Sequence, residues 1–306
     1  MASNNLRIIY QNIIDMTGTT ISASTTSNST TTPISNTQSD LKSKVWRTTT
    51  SSSTAVYGTI LVTNTTAIAI SGIILAFSNL SSSATIRVRG WSGSPPTIGN
   101  TVNSQPSISA SSGALFDTGT VIAAPYQGLG EWNWGSNPNS SIGYTNTRVY
   151  ARLWLSDINT SVACTSWTIE VYDPTSTDQF LEISRIILGS SWSPKYNTSF
   201  GLSNTIKDMS TNTRSEAGDL ITFAAPYYNT LTFDLQYMDK TDRSTLFKII
   251  RSIGTRKAIF VSLFPDNSAD WSKEQIYQIY GKLVQIPGLA HSTFETYASQ
   301  IDIEEI

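Results

Sequence analysis

The sequence predicts a mainly β protein. It is expected to have an amino-terminal β-sandwich or jelly roll over residues 1–180 and a carboxyl-terminal β-barrel or β-sandwich over 181–306 with one substantial helix. Three observations predict this. Short apolar runs alternate with turn-forming polar clusters through the first part, as separate strands joined by loops require. Charged residues make up only 14% of the chain, with Ser, Thr and Asn filling the gap, a composition suited to hydroxyl-decorated sheet surfaces. Residues 1–180 carry 8 Lys/Arg and 8 Asp/Glu, whereas the shorter 181–306 carries 12 and 14, which places a division near 180. A chain of 306 residues also exceeds what one core usually serves.

In chain order, TAVYGTILV, IAISGIILAF, ATIRVRGW, RVYARLWL and CTSWTIEVYD read as strands. In the third, Ile86 and Val88 share one parity and Arg87 and Arg89 the other, the period of a half-buried strand. The same alternation sets Trp167, Ile169 and Val171 against Glu170 and Tyr172. The stretch 66–80 is the most hydrophobic, but it is too short to span a bilayer and rich in β-branched residues, so it predicts one or two buried strands. The Ser/Thr/Asn-rich segments 21–36 and 97–113 predict polar surface loops.

The second part opens on LEISRIILGSSW. Its strand LTFDLQY sets Leu231, Phe233, Leu235 and Tyr237 against Thr232, Asp234 and Gln236. DKTDRSTLFKIIRSIG predicts a helix near 240–253, capped by Asp239 or Thr241 and closed by Gly254. Leu246, Phe247, Ile249, Ile250 and Ile253 form its apolar face. AIFVSLF, YQIYGKLVQIP and FETYASQIDIEEI supply the closing strands, the last with Ile301, Ile303 and Ile306.

The residue supply excludes most chemistry. A net charge of −2 offers no footprint for nucleic acid. Cys164 is the single cysteine, so no intrachain disulfide and no cysteine metal site can form. His291, the single histidine, is expected in an exposed loop far along the chain from Cys164, which leaves no Ser–His or Cys–His nucleophile. Asp266, Asn267 and Asp270 lack the spacing of a calcium loop, and no phosphate-binding glycine loop appears. No metal and no cofactor is expected. The amino terminus does not read as a secretory signal, so synthesis in the cytoplasm is expected.

Glycoside hydrolysis needs two carboxyl groups beside aromatics, and Glu131 beside Trp132 and Trp134, with Asp117 or Asp157, is the nearest approach to it. A non-enzymatic role is the expectation. Trp46, Trp91, Trp132 and Trp134 are the candidate carbohydrate platforms, because indole faces stack on sugar rings. The competing expectation for all four is packing, most of all for Trp46 and Trp91, which adjoin strand-like segments.

Two passages resemble proteins of tailed-bacteriophage tails. SNTQSDLKSKVWRTT (35–49) and LAFSNLSSSATIRVRGWS (75–92) are similar to an amino-terminal discoidin-like, galactose-binding jelly-roll module, with Asn36, Trp46 and Arg47 at the matching positions. EISRIILGSSWSPKYNTSFG (182–201), RSEAGDLITF, the segment 237–267 and IYGKLVQIP resemble the carboxyl-terminal half of distal tail or baseplate-ring proteins, with Ala258 where that pattern usually has proline. The resemblance implies a structural virion protein forming a ring, expected to be a hexamer, at the tail tip. Its implied partners are the tail tube, hub or fibre proteins and a host surface glycan. It implies no catalytic residue.

Overall fold

The computed structural model describes residues 5–124, 149–155, 162–265, 274, 276–293 and 295–306. It is mainly β, with one α-helix among the described residues. By internal contacts the chain forms two compact units. The first holds 9–192 and 265–276, and the second holds Asn5–Ile8, 193–264 and 277–306.

After β1 (Arg7–Ile9), the first unit contributes β2 (Thr20–Ala23), β3 (Trp46–Arg47), β4 (Val56–Ala69), β5 (Gly72–Ser78), β6 (Thr85–Trp91), β7 (Thr97–Ile98) and β8 (Ile108–Ser109). It continues through β9 (Phe116–Asp117), β10 (Val121–Ile122), β11 (Val149–Trp154), β12 (Ala163–Asp173), β13 (Glu182–Gly189) and β14 (Ser191–Trp192). One sheet runs β10-β6-β12-β4-β2 with β9 on β6, and the other runs β11-β5-β13-β3. Their inner faces enclose one apolar core, to which Ile60, Val62, Ile86, Val88, Trp167 and Ile169 contribute from the first sheet and Ile73, Leu75, Ile183 and Leu188 from the second. This is the sandwich the alternation predicts. β5 is buried along its whole length, which accounts for a run with no polar parity. β13 lies beyond the charge shift at 180 yet pairs with β5 from Ile183↔Ser78 to Gly189↔Gly72.

The polar segments are more ordered than loops. Within 21–36, β2 pairs with β4. Ser24 just after it is buried, and its Oγ accepts the Thr59 amide at 3.0 Å. The 3-10 helix Ile34–Gln38 buries Thr37, whose Oγ1 donates to the Ile34 carbonyl at 2.7 Å. Within 97–113, β7 and β8 form a hairpin. Ser and Thr enter the interior because their hydroxyls find backbone partners.

The second unit adds β15 (Ser203–Asp208), β16 (Thr211–Arg214), β17 (Leu220–Phe223), β18 (Tyr227–Met238), α1 (Lys240–Ile253), β19 (Ile259–Ser262), β20 (Gln278–Leu283), β21 (Ala290–Thr293) and β22 (Thr296–Glu305). Its sheet runs β1-β19-β20-β22-β18-β15, with β21 on β22. That path is open rather than closed into a barrel, because β15 at one end pairs with no strand at the other. α1 forms where expected, with the Asp239 carboxylate accepting the Asp242 amide at 2.8 Å and Gly254 at φ 55° closing it. Leu246, Ile249, Ile250 and Ile253 are buried.

Three local expectations are corrected. Phe247 is exposed, because it lies about 100° around the helix from Leu246, off the inward stripe. Tyr237 is exposed and Met238 buried, because a register shift between Leu235 and Met238 reverses the parity of β18. His291 sits in β21 rather than a loop, exposed and stacked on Tyr297 at 4.8 Å.

Candidate functional site

Of the four tryptophans, Trp132 and Trp134 lie outside the described residues, as do Glu131, Asp157, Asp266, Asn267 and Asp270. Trp46 is fully buried, and its indole N–H donates to the Thr25 carbonyl at 3.1 Å and to the Thr26 Oγ1 at 3.3 Å. Trp91 is 5% exposed and donates to the Thr168 Oγ1 at 3.2 Å. Neither ring has a free face for a sugar. Both are packing residues with a satisfied polar end. The matching positions of the jelly-roll resemblance are structural too. Asn36 donates to the Thr31 and Val45 carbonyls, and Arg47 pairs with Glu182 while lying 4.2 Å over the Phe180 ring. Cys164 is buried, and desolvation pushes its thiol up to about 11, so it is not poised as a nucleophile. Among the described residues no group of three or more His, Cys, Asp or Glu could hold a metal.

The sandwich does assemble a polar cluster on the outer face of β4, β12 and β6. The register places Tyr57, Tyr172 and Thr85 in one row and Thr59, Glu170 and Arg87 in the next. All six side chains share the parity opposite to the buried Ile60, Ile86, Ile169 and Val171. The Tyr57 and Tyr172 rings stack at 4.4 Å and 17°. Burial, with the hydrogen bond to Tyr172 second, raises the Tyr57 hydroxyl above its ordinary value. Glu170, 5% exposed, accepts from Arg89 Nε at 2.8 Å and from Gln105 Nε2 at 2.6 Å. Gln105 stands in the β7–β8 hairpin, whose following Pro106 is buried, and the Tyr57 amide donates to the Val102 carbonyl at 3.1 Å. The hairpin therefore folds over this face and leaves a groove lined by Tyr57, Thr59, Arg87, Gln105, Glu170 and Tyr172 among others.

Thr59 at its floor is fully buried, and its Oγ1 has no hydrogen-bond partner among the described residues. An unsatisfied buried hydroxyl costs about 1–3 kcal/mol, so the groove holds a polar group waiting for a partner.

Arg87 donates from Nε to Asp117 Oδ1 at 2.9 Å, with a second bond from its other nitrogen. This pairing holds the Asp117 carboxyl below the usual carboxylate range. Because the folded-state value is depressed, the pair stabilises above the unfolded value of about 3.9, and that stability is lost as pH falls through the folded value. The pair is about a third exposed, which limits its worth to less than about 1 kcal/mol. Asp117→Asn is expected to flatten the acid limb of a melting-temperature profile below about pH 4. An acid limb identical to that of the unmodified protein would show the pair to be silent.

The sequence named Glu170, Tyr172, Arg87 and Asp117 for their parity or charge, but not as one site. Tyr57, Thr59 and Gln105 carried no signal, because their meeting depends on strand register and on the fold of the 97–109 hairpin.

A second feature lies in the other unit. β15, β16 and β17 are exposed at every residue. The four strands β15 to β18 form a two-stranded arm. β15 pairs with the start of β18, β16 pairs with β17, and Ser210 joins the two stretches by exchanging hydrogen bonds with Ala225. Ile206, Met209, Leu220, Ile221 and Phe223 expose large apolar side chains along it.

No protein-family model matches this chain, and no curated protein matches its sequence. Among solved structures, it is similar to the family 32 CBM from C. perfringens NanJ in complex with galactose. The likeness has 12% identity, covers 58% of this chain and 97% of that one, and has a TM-score of 0.33. No residue role is carried over from it.

Proposed function

We propose that this chain is a non-enzymatic assembly and recognition protein whose second unit joins copies of itself through the arm and whose first unit is a carbohydrate-recognising sandwich. The carrying observation is the arm: Ile206, Met209, Leu220, Ile221 and Phe223 exposed within 18 residues of chain. Apolar side chains gathered on one exposed element mark an interaction surface. β15 is an edge strand with β18 as its one strand neighbour among the described residues, and edge pairing between copies extends a sheet without new chemistry. A head-to-tail contact of this kind closes into a ring when its rotation allows. The resemblance of 182–201 and 237–267 to tail-ring proteins supplies the setting: a virion protein at the tip of a phage tail, bound to tube, hub or fibre proteins. The recognition half is favoured by the groove, where the carboxylates of Asp117 and Glu170 are held by Arg87, Arg89 and Gln105 in an arrangement suited to binding rather than proton transfer.

Sedimentation velocity of the full chain tests the assembly half. The unmodified protein is expected to sediment as a concentration-dependent oligomer. The Ile221→Ser, Phe223→Ser double variant is expected to dissociate at least about tenfold more readily, since buried aromatic and aliphatic anchors dominate interfaces. Its circular dichroism should be unchanged, because both residues are exposed. A monomer at all concentrations would sink self-assembly, and an oligomer indifferent to the double change would remove the arm from it.

A further inference from the structure

The groove on the outer face of β4, β12 and β6 is shaped for a particular kind of ligand, and the argument rests on the recognition reading of the first unit. We propose that it is a binding site for a single neutral sugar ring, seated under the β7–β8 hairpin with one ring hydroxyl on Thr59. Four features of the groove point there.

The space fits. It leaves about 70 Å³ for the centres of water molecules, room for roughly five waters. A pyranose ring bearing its hydroxyls displaces a hydration cluster of that order, whereas a peptide or nucleotide exceeds it.

The polar chemistry fits as well. Thr59 Oγ1 is buried with no partner among the described residues, and it lies beside Glu170, an acceptor, with Arg87, a donor, one strand further along the same row. A sugar hydroxyl both donates and accepts, so it can satisfy a threonine hydroxyl in either sense. A carboxylate or phosphate ligand could only accept.

The charge is balanced before any ligand arrives. Arg87 is bound by Asp117 and Arg89 by Glu170, so neither guanidinium is left to recruit an anion. Anionic sugars are therefore disfavoured relative to neutral ones.

The apolar wall is also present. The half-buried Tyr57 and Tyr172 rings and the buried Pro106 give one side of the groove the flat apolar surface that sugar C–H groups pack against. The site lies on a sheet face and uses none of the tryptophans singled out from the sequence.

Saturation-transfer NMR on the full chain, with methyl β-galactoside, methyl β-glucoside and N-acetylglucosamine as neutral probes and N-acetylneuraminic acid as the anionic one, tests the assignment. At least one neutral probe should bind and the anionic one should not. Thr59→Val, which keeps the shape and removes the hydroxyl, should weaken that binding roughly two- to tenfold, the equivalent of one neutral hydrogen bond. The same variant should melt at the same or a higher temperature without sugar, because a valine there leaves no hydroxyl unsatisfied, so lost binding cannot be mistaken for lost folding. Gln105→Ala should weaken binding independently by loosening the hairpin over Glu170. Neutral-sugar binding unchanged in both variants but lost in Trp134→Ala would overturn the groove as the site and keep the recognition reading. Preference for the anionic probe would overturn the neutral-ligand assignment. Failure of every probe to bind the unmodified protein would overturn the site and the recognition reading together.

Discussion

Glu274→Ala is expected to lower the unfolding free energy of the first unit by about 3–5 kcal/mol. Glu274 and Arg152 form an ion pair with both side chains 1% exposed, and the Trp154 indole N–H donates to Glu274 Oε1 at 3.1 Å. Removing the carboxylate leaves a guanidinium in the interior with its counter-charge gone, and an uncompensated buried charge is among the costliest single changes a core can suffer. Glu274 is 120 residues beyond Trp154 in sequence yet belongs to the first unit, through the segment 265–276. Replacing both partners by apolar residues, as in Arg152→Met with Glu274→Leu, should cost far less, because it removes both charges at once. Urea unfolding followed by tryptophan fluorescence measures both variants. A single-variant loss below about 1 kcal/mol would mean that water reaches Arg152 and the pair is not buried in solution.

Trp46→Ala should cost a similar amount, about 3–5 kcal/mol, and this result separates two roles for that residue. As a sugar platform the side chain would be exposed, and its removal would abolish binding at little cost in stability. The structure places it in the core beside Gly58, where a β-carbon would come within 3.3 Å of the indole and 2.8 Å of Leu181. Truncation thus opens a cavity whose walls, held by strand pairing, cannot collapse. It also strands the Thr25 carbonyl and the Thr26 hydroxyl that the indole nitrogen served. Denaturant unfolding together with sugar binding at low temperature gives the answer. Full stability with lost binding would reverse the assignment of Trp46 to the core.

Much of the architecture was legible because a strand's faces are written locally. Ile86 and Val88 against Arg87 and Arg89 forecast which side of β6 is buried, and Asp239 with Gly254 forecast both ends of α1. The same local logic failed where pairing overrode parity. The irregular step between Leu235 and Met238 turned Tyr237 outward, and no property of LTFDLQYM announces it. Polar composition misled as well, since Ser24 was expected at the surface but is buried on a backbone hydrogen bond.

The two functional features divide along this line. The arm's sequence, with its polar residues between Ile206 and Phe223, gave no sign that these strands would leave their apolar side chains uncovered. Exposure is a property of what fails to pack against a strand. The groove is more dependent still. Tyr57 meets Tyr172 and Thr59 meets Glu170 because β4 and β12 pair in one register out of several possible, and Gln105 arrives from a hairpin that composition reads as loop. By itself the sequence determined the fold class, most strand faces, and the helix and its caps, because each depends on residues near one another in the chain. Register, the open rather than closed second sheet, the burial of Trp46 and Trp91, the Arg152–Glu274 pair and the unpartnered Thr59 hydroxyl were decided by the tertiary structure alone. They are energies of contact between residues tens to more than a hundred positions apart, and local periodicity does not encode which partner such a residue will find.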